Sequence, residues 1–355
     1  MSSMTPLVAE APAARDDSGT SIARYHNQVC PICQSAFVPN RIGRVRECEY
    51  DSTTELFDVH QCRVCDTVAL DPRPSEEDLH TIYPPHYYAF DVNLNKDPRS
   101  TSTERFTQRL FRSIRLANIK NNVLRHAHPE GDRPLRVLDV GCGVGSQLDN
   151  IREVQPTAET WGVDFGADAV AKAAARGHRT VAARFEDADL PEGYFDIVYA
   201  LHVIEHVGEP DEFVERALTL LRPGGVLVLA TPNIDCWDFW LLKRRHWGGY
   251  HTPRHWYLFN RKSFEVLGRR LGLPVVDWTP YTLSSFWVVS CNSIARDLCG
   301  NWIANKLFPP VQIMKGGVYP LFLVCFFAAL SRMLLLVTGT GNAMWVTFRK
   351  AANDG

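Results

Sequence analysis

Three glycines at every second position, in the stretch LDVGCGVGSQLDN (residues 138–150), restrict the fold more than any other feature of this chain. Glycine lets a backbone turn tightly and approach a ligand without a Cβ clash. The apolar run LRVLDV precedes the turn and a helical pattern follows it, which predicts a strand–turn–helix unit. The same alternation recurs at TWGVDF, RTVAARF, FDIVYAL and GGVLVLAT. Apolar runs alternating with helices predict a parallel, doubly wound α/β sheet.

The residues around this turn indicate which ligand it holds. A dinucleotide fingerprint needs a glycine at its sixth position, where this chain has Ser146. Asp139 stands two residues before Gly141, and a carboxylate there opposes a pyrophosphate but suits an ammonium group. Asp164 ends the second strand, nineteen residues after Gly145, where an acid accepts hydrogen bonds from ribose hydroxyls. The sequence therefore predicts a nucleoside ligand with a cationic group.

Residues 135–233 resemble the class I S-adenosylmethionine-dependent methyltransferases, in the branch with a Glu-His pair after the fourth strand. The resemblance is carried, in order, by VLDVGCGVGSQL, GVDFG, FEDADLPEGYFDIVYALHVIEHV and LRPGGVLVLATPN. It implies a Rossmann-like methyltransferase fold and S-adenosylmethionine as the methyl donor. These pieces cover the family's core completely.

The resemblance also implies roles for individual residues. Gly141, Gly143 and Gly145 would line the methionine part of the donor, and Asp139 would face its amino group. Asp164 would hold the ribose, and either Glu186 or Asp187 would meet the adenine amine. Leu201 and His202, which end the fourth strand and follow it, would border the sulfonium.

The segment LHVIEHV contains the candidate catalytic residues His202, Glu205 and His206. An imidazole titrates near neutrality, so His206 is the favoured general base, with Glu205 to orient it. Two alternatives stay open. Glu205 and His206 would only pack or cap the helix start, or His202, Glu205 and His206 would hold Mg²⁺ or Zn²⁺ with a further histidine.

A second polar and aromatic cluster, RRHWGGYHTPRHWYLFN, follows the fifth strand. Loops at this edge shape acceptor pockets in similar enzymes, so we expect acceptor-binding residues here. The candidates are His251, His255, Trp247 and Tyr250. The alternative is an ordinary aromatic packing cluster. Tyr87 and Tyr88 are weaker candidates to cover the donor from the N-terminal side.

Two CxxC pairs predict a structural zinc site. Each pair directs two thiolates toward one point, and together they supply a closed tetrahedral set without an open catalytic position. A zinc ion of this kind stabilises small modules that lack a core of their own. The segment resembles the cysteine-rich leader of many methyltransferases, but has Gln34 and Asp66 where glycine usually follows each pair. The predicted ligands are Cys30, Cys33, Cys62 and Cys65.

A long segment before the last strand is nearly free of charges, and its run VYPLFLVCFFAALSRMLLLV is about long enough to cross a bilayer. If strands of one sheet flank it, a single crossing would leave the last strand on the wrong side. The segment is therefore expected to attach to a membrane surface, aided by Lys306, Lys315, Arg332 and the basic helix 103–126. A buried helical cap or a dimer face is the alternative.

The chain divides by pattern into six parts. The first is expected to be a disordered tail, because it lacks the basic start and apolar stretch of a signal peptide. Scattered cysteines outside the CxxC pairs fit a reducing, cytoplasmic compartment. The parts are a tail (1–24), a zinc module (25–70), a connector with a basic helix (71–134), the donor-binding core (135–282), the apolar insertion (283–341) and the last strand with its tail (342–355).

The sequence thus predicts methyl transfer from S-adenosylmethionine to a hydroxyl, or less readily a carbon, of a small or lipid-linked acceptor. A sugar, a quinone-like ring and a polyprenyl-linked glycan all fit an apolar docking surface. A net charge of −2 gives no general attraction to polyanions, which disfavours the alternative of an RNA methyltransferase. A non-catalytic protein that keeps the donor-binding fold is the remaining alternative.

Overall fold

A computed structural model describes residues 24–38, 40–75, 82–83, 112–127, 131–310 and 318–352. Its strands are β1 (Arg24–Tyr25), β2 (Arg41–Arg46), β3 (Leu56–Gln61), β4 (Val68–Leu70), β5 (Arg73–Pro74), β6 (Arg136–Val140), β7 (Glu159–Asp164), β8 (Arg179–Ala182), β9 (Phe195–Leu201), β10 (Leu221–Pro232), β11 (Tyr257–Leu258), β12 (Val275–Tyr281) and β13 (Ala343–Arg349). Its α-helices are α1 (Ser146–Val154), α2 (Ala167–Ala175), α3 (Pro210–Leu220), α4 (Trp237–Leu242), α5 (Arg261–Arg270), α6 (Ser284–Cys299), α7 (Asn301–Leu307) and α8 (Val318–Thr338). Residues 112–124 are also helical, with a π-helical end at Ile119–Leu124; the beginning of the predicted basic helix lies outside the described residues.

The central sheet has seven strands in the order β12-β13-β10-β9-β6-β7-β8. Neighbouring strands from β10 to β8 run parallel, and β13 is antiparallel to both β10 and β12. The fold class predicted from the sequence is confirmed. The strand order places the turns after β6, β7 and β9 side by side at one edge of the sheet, which is where ligands bind in such folds.

Both faces of the middle of this sheet are covered, as the central strand β9 shows. In β9, Val198 and Ala200 belong to one core cluster, whereas Ile197 and Tyr199 belong to a second cluster on the opposite face. Every residue of β9 before Leu201 is buried. Such a strand has no alternation of polar and apolar residues, as expected for a strand between two layers of helices.

The N-terminal part forms a small antiparallel sheet of four strands in the order β11-β4-β3-β2. Strand β11 comes from the far side of the chain and pairs with β4, with Tyr257 opposite Ala69. The buried side chains of this module also belong to the main core cluster. The module is therefore built into the core.

The apolar insertion consists of α6, α7 and α8 and joins β12 to β13. Its two ends meet, because Tyr281 pairs with Ala343 and the amide of Asn342 hydrogen-bonds both the N–H and the C=O of Leu283, at 2.7 and 3.1 Å. Helix α8 packs on α6 through a narrow stripe that includes Phe327, whose ring stacks on Trp287. Among the described residues, α8 is the one helix long and apolar enough to span a membrane, and 17% of its most apolar window is buried.

Candidate active site

The glycine turn after β6 has the tight geometry that the sequence predicts. Gly141, Gly143 and Gly145 have φ angles of 76°, 50° and 80°, in the left-handed region that favours glycine. A Cβ on Gly145 would lie 2.9 Å from the Cβ of Ala173, so this glycine allows the turn to pack on α2. A Cβ on Gly143 would have no neighbour within 4 Å. Gly143 therefore faces open space in which a ligand can approach the backbone.

Two carboxylates flank this open space. Asp164, at the end of β7, accepts hydrogen bonds from the N–H groups of Gly143 (2.9 Å) and Gly166 (2.8 Å), which fix its orientation beside the turn. Asp139 is 3% exposed. Burial and the neighbouring charge of Asp164 raise the pKa of Asp139 to about 8, against the lowering effect of the Tyr199 hydroxyl. A buried carboxyl of this kind gains from a cationic partner, so the donor set fits a ligand that carries an ammonium group and a ribose.

The adenine contact is less defined. Glu186 and Asp187 lie in the turn that follows β8, and both are exposed. Glu186 is 3.6 Å from Arg184, whose carbonyl accepts the N–H of Asp187. Both acids lie beyond the carboxyl end of β8, so the choice between them stays a prediction.

His202 follows Leu201 at the end of β9 and is held on both sides of its ring. Its φ of 55° is left-handed, which is uncommon for a residue with a side chain. Its Nδ1 lies 3.0 Å from Glu205 Oε1, and its Nε2 lies 2.8 Å from the hydroxyl of Tyr281. Sequence reasoning missed Tyr281, although its place at the end of β12 puts it at the ligand edge of the sheet.

Glu205 is fully buried and hydrogen-bonds His202 through Oε1. Its other oxygen accepts a hydrogen bond from the Thr231 hydroxyl at 3.0 Å. Burial raises the pKa of Glu205, but the hydrogen bond and charge of His202 outweigh it, and the net effect lowers this pKa. The carboxylate thus orients His202, whereas the sequence suggested that it orients His206.

His206 is held through Nδ1, which lies 3.0 Å from the carbonyl oxygen of Arg254 and 2.8 Å from the hydroxyl of Tyr83. Because a carbonyl only accepts, this contact favours the proton on Nδ1 and leaves the lone pair on Nε2. Burial lowers the pKa of His206 to about 4. The ring is therefore neutral at physiological pH.

Two histidines from the segment after β10 lie next to His206. The His255 ring is 4.7 Å from the His206 ring, and its Nδ1 donates to the carbonyl of Gly249 at 2.8 Å. The His251 ring is 4.9 Å from that of His255, and its Nδ1 lies 2.6 Å from Glu49 Oε1. Ligand atoms of Glu205, His206 and His255 also lie within 4.8 Å of one another, so the metal alternative keeps a geometric basis.

Trp247 and Tyr250 pack in an aromatic core with Phe239 and Phe286. The indole N–H of Trp247 donates to Asp238, and the Tyr250 hydroxyl donates to the carbonyl of Lys243. Both side chains are buried, which favours the packing alternative for these two residues. Tyr87 and Tyr88 lie outside the described residues.

The four cysteines of the CxxC pairs meet at one point. Cys30 Sγ is 3.5 Å from Cys65 Sγ, and Cys33 Sγ is 3.7 Å from Cys62 Sγ. Tetrahedral zinc with Zn–S bonds of about 2.3 Å requires separations near 3.8 Å, so the four thiols fit the ion. Gln34 and Asp66 have φ angles of 57° and 64°. Each turn therefore adopts the left-handed geometry without the expected glycine.

Comparisons with known proteins identify the family to which the chain is similar. Residues 111–277 match the model of a family described as "Methyltransferase domain". The ubiquinone biosynthesis O-methyltransferase of Bradyrhizobium sp. (strain ORS 278) is 34% identical over 138 residues, which are 34% of this chain and 53% of that protein. The enzyme of the same name from Methylobacterium sp. (strain 4-46) is 30% identical over 242 residues, 56% of this chain and 85% of that protein.

For most of the curated ubiquinone biosynthesis O-methyltransferases that it matches, the chain spans about half of the relative's length. A solved structure described as a SAM dependent methyltransferase from Archaeoglobus fulgidus is 15% identical, with a TM-score of 0.42; the match covers 70% of this chain and all of that one.

Proposed function

Since this chain belongs to the class I S-adenosylmethionine-dependent methyltransferases, we propose that it methylates a hydroxyl of a small or lipid-linked acceptor. The observation that carries the proposal is a group of three imidazoles, His206, His251 and His255, beside the Glu205 carboxylate at the ligand edge of the sheet. A hydroxyl must lose its proton when it is methylated, and neutral imidazoles accept protons. The curated relatives are named O-methyltransferases, which supports a hydroxyl over a carbon.

The donor side is proposed to use the residues that the resemblance indicates. When bound, S-adenosylmethionine supplies a methyl group on a positively charged sulfur. Asp139 faces its amino group, Asp164 binds the ribose, and the open side of Gly143 admits the donor to the backbone. Gly141 and Gly145 line the methionine part by keeping the turn tight, and Leu201 and His202 border the sulfonium. Glu186 or Asp187 contacts the adenine.

His206 is the proposed base of the acceptor side, in the branch of the family with a Glu-His pair after the fourth strand. Its Nδ1 is fixed by the Arg254 carbonyl, which leaves the lone pair of Nε2 to accept the proton of the acceptor hydroxyl. Positioning of the hydroxyl near the donor then contributes roughly 7–11 kcal/mol to the rate, and a base contributes about 10²–10⁴-fold. A divalent ion held by Glu205, His206 and His255 is the second candidate, supported by the spacing of their ligand atoms.

The test starts from a cell extract incubated with methyl-labelled S-adenosylmethionine and separated into lipid, sugar and RNA pools. Label in the lipid or sugar pool supports the proposal, and label in RNA contradicts it. His206→Gln should lower the rate about 10²–10⁴-fold with unchanged donor affinity. His246→Gln is the matched control, because His246 bonds Ser293 outside the cluster. Absence of donor binding by calorimetry would instead indicate a non-catalytic protein.

The insertion is proposed to attach the enzyme to the cytoplasmic face of a membrane, which gives access to lipid-linked acceptors. Helix α8 exposes Val318, Phe322 and Leu336 by 90%, 60% and 73%. Trp240 and Trp302 are also exposed, and each has a lysine ammonium over its ring, Lys243 at 3.7 Å and Lys306 at 5.1 Å. Tryptophan and lysine are enriched where membrane meets water. Both ends of the insertion meet in one sheet, which favours attachment in the plane of the membrane over a single crossing.

Flotation with phosphatidylcholine vesicles, with and without phosphatidylglycerol, tests this attachment. We expect binding that survives a high-salt wash and weakens in a Trp240→Ser, Trp302→Ser double variant. Val64→Ser is the control, because Val64 is an apolar residue of the zinc module that is 53% exposed. Complete release by salt would contradict apolar attachment, and so would full binding by the double variant.

Zinc is proposed as the structural ion of the four cysteines, and one zinc per chain by elemental analysis tests it.

A further inference from the structure

The loop that connects β2 to β3 in the zinc module is organised by a buried carboxylate. Glu47 is 3% exposed, and its two oxygens accept the backbone N–H groups of Glu49 (2.8 Å), Tyr50 (2.8 Å) and Ser52 (2.9 Å). We call residues 47–52 the acidic loop. Three N–H donors on one carboxylate fix the loop as a rigid turn. Its outer groups are therefore presented in one defined orientation.

The acidic loop holds Arg254, a fully buried residue of the segment that carries the site histidines. Arg254 Nη1 lies 3.4 Å from Glu47 Oε1, and Nη2 lies 3.2 Å from the Ser52 hydroxyl. The guanidinium also stacks 4.5 Å from the centre of the Tyr50 ring. The carbonyl of Arg254 is the group that accepts the Nδ1 proton of His206. The position of the proposed base thus depends on a residue that the module anchors.

The same loop contacts a second imidazole directly. Glu49 Oε1 lies 2.6 Å from His251 Nδ1, and the two side chains are 13% and 10% exposed. Burial raises the pKa of Glu49, but the charge of His251 and the hydrogen bond to it outweigh this effect and lower the pKa overall. A carboxylate that accepts from Nδ1 directs Nε2 of the imidazole away from the module.

The backbone at His251 supports a positioning role for this contact. Its φ of 40° is left-handed, a strained conformation for a residue with a side chain. Strain of this kind persists where surrounding contacts determine it, and it clusters at functional sites. The Glu49 carboxylate supplies such a contact, 202 residues away in sequence.

We infer that the zinc module completes the acceptor site, with Glu49 as the positioning residue of His251 and Glu47 as that of His206. The inference rests on the proposed function, because that function makes the two imidazoles part of the acceptor site. The contacts of Glu49 and Glu47 themselves do not depend on which acceptor binds. It assigns the module a part in the reaction beyond its own stability. The ligand of this site is the hydroxyl of the acceptor, which would contact the two imidazoles that the module orients.

The first test is spectroscopic and needs no acceptor. In protein with ¹⁵N-labelled histidine, the His251 Nδ1 proton should give a low-field signal, assigned by its loss in His251→Gln. We expect Glu49→Gln to shift or remove this signal and Glu49→Asp to restore it in part. Glu47→Gln should change the His206 Nδ1 signal instead. The matched control is Asp58→Asn, because Asp58 belongs to the same module but pairs with Arg44 at the surface.

The second test is kinetic, with methyl label transferred to the total lipid extract of the cell as the probe. Glu49→Gln replaces a charged acceptor with a neutral one and weakens the hydrogen bond to His251, so the rate of methylation at low concentrations of lipid extract should fall at least about tenfold. Donor affinity by calorimetry should stay within about twofold.

An unchanged His251 signal in Glu49→Gln overturns the inference, as does an equal kinetic loss in Asp58→Asn. If the wild-type chain fails to bind the donor, the proposed function fails while the spectroscopic result still decides the contact. Thermal melting of each variant identifies any that fail to fold, and the Glu49→Asp rescue then decides between a positioning role and a structural one.

Discussion

The three glycines of the donor turn should respond differently to alanine, since each would place its Cβ in a different environment. At Gly143 the new methyl would enter open space, whereas at Gly145 it would lie 2.9 Å from Ala173 Cβ and 3.0 Å from His178 Cδ2. Both residues have left-handed φ angles, so each alanine pays a strain of roughly 1–2 kcal/mol. Overpacking against α2 adds about 1–3 kcal/mol at Gly145 alone.

We therefore expect Gly145→Ala to lower the melting temperature more than Gly143→Ala, and the overpacking accounts for the difference because both variants share the strain. The order reverses for the donor. A methyl at Gly143 occupies the side from which a ligand approaches the backbone, so donor affinity should fall at least about tenfold, or about 1.4 kcal/mol. Thermal melting without ligand measures the first effect. Calorimetric titration with S-adenosylmethionine and with its demethylated product measures the second.

Gly131→Ala is the matched control, since Gly131 has a φ of 62°, open space at its Cβ and a place before β6, away from the donor turn. It should show the strain without the loss of donor affinity. Normal donor binding by a folded Gly143→Ala variant would refute this account of the turn. A larger stability loss in Gly143→Ala than in Gly145→Ala would refute the packing argument.

Three further predictions concern charge and metal. Because the pKa of Asp139 is raised to about 8, the folded chain keeps a proton there that the unfolded chain releases above about pH 4. The free energy of unfolding should therefore fall as the pH rises from about 4 to 8. Over the same range the affinity for the donor, measured by calorimetry, should rise as the carboxylate forms. Asp139→Asn should weaken both trends and abolish tight donor binding. Cys62→Ser should lose the zinc in elemental analysis and melt at lower temperature, because it removes one of four ligands. Asp196→Ala should destabilise the chain by about 3–5 kcal/mol in urea unfolding, because it leaves the guanidinium groups of Arg133 and Arg222 without their buried partner; a loss under about 1 kcal/mol would contradict this.

The geometry of the glycine turn could be predicted from sequence because its parts are local. Strand β6, the glycine turn and α1 are consecutive, and the left-handed angles at Gly141, Gly143 and Gly145 need no distant partner. The end of β7 follows from the same βαβ pattern. The parallel part of the sheet was accessible for a related reason, since apolar runs of this length between helices admit few other arrangements. The antiparallel direction of β13 has no such signal in the sequence and is seen in the structure alone.

The acceptor side depends on contacts between distant parts of the chain. No sequence pattern near Glu49 indicates that this residue contacts His251. The two CxxC pairs of the same module predict a zinc site and no contact with the segment of the histidines. The adjacency of Glu205 and His206 suggested a pair, but the short 3₁₀ turn Ile204–His206 directs Glu205 to His202 and leaves His206 to Arg254. The sequence favoured acceptor binding for Trp247 and Tyr250, but in the structure both residues pack on Phe239, and Trp247 also packs on Phe286 of α6.

The segment that carries His251 and His255 lies between the acidic loop of the zinc module and α6 of the insertion. On one side the acidic loop holds it through Glu49. On the other side α6 of the insertion packs so closely on Gly248 that a Cβ there would lie 2.1 Å from the Phe286 carbonyl oxygen, and the Ser290 hydroxyl accepts the Gly248 N–H. Under the proposed function, a shift of either part would move the imidazoles of the acceptor site, and binding of the insertion to a membrane would therefore act on that site through α6.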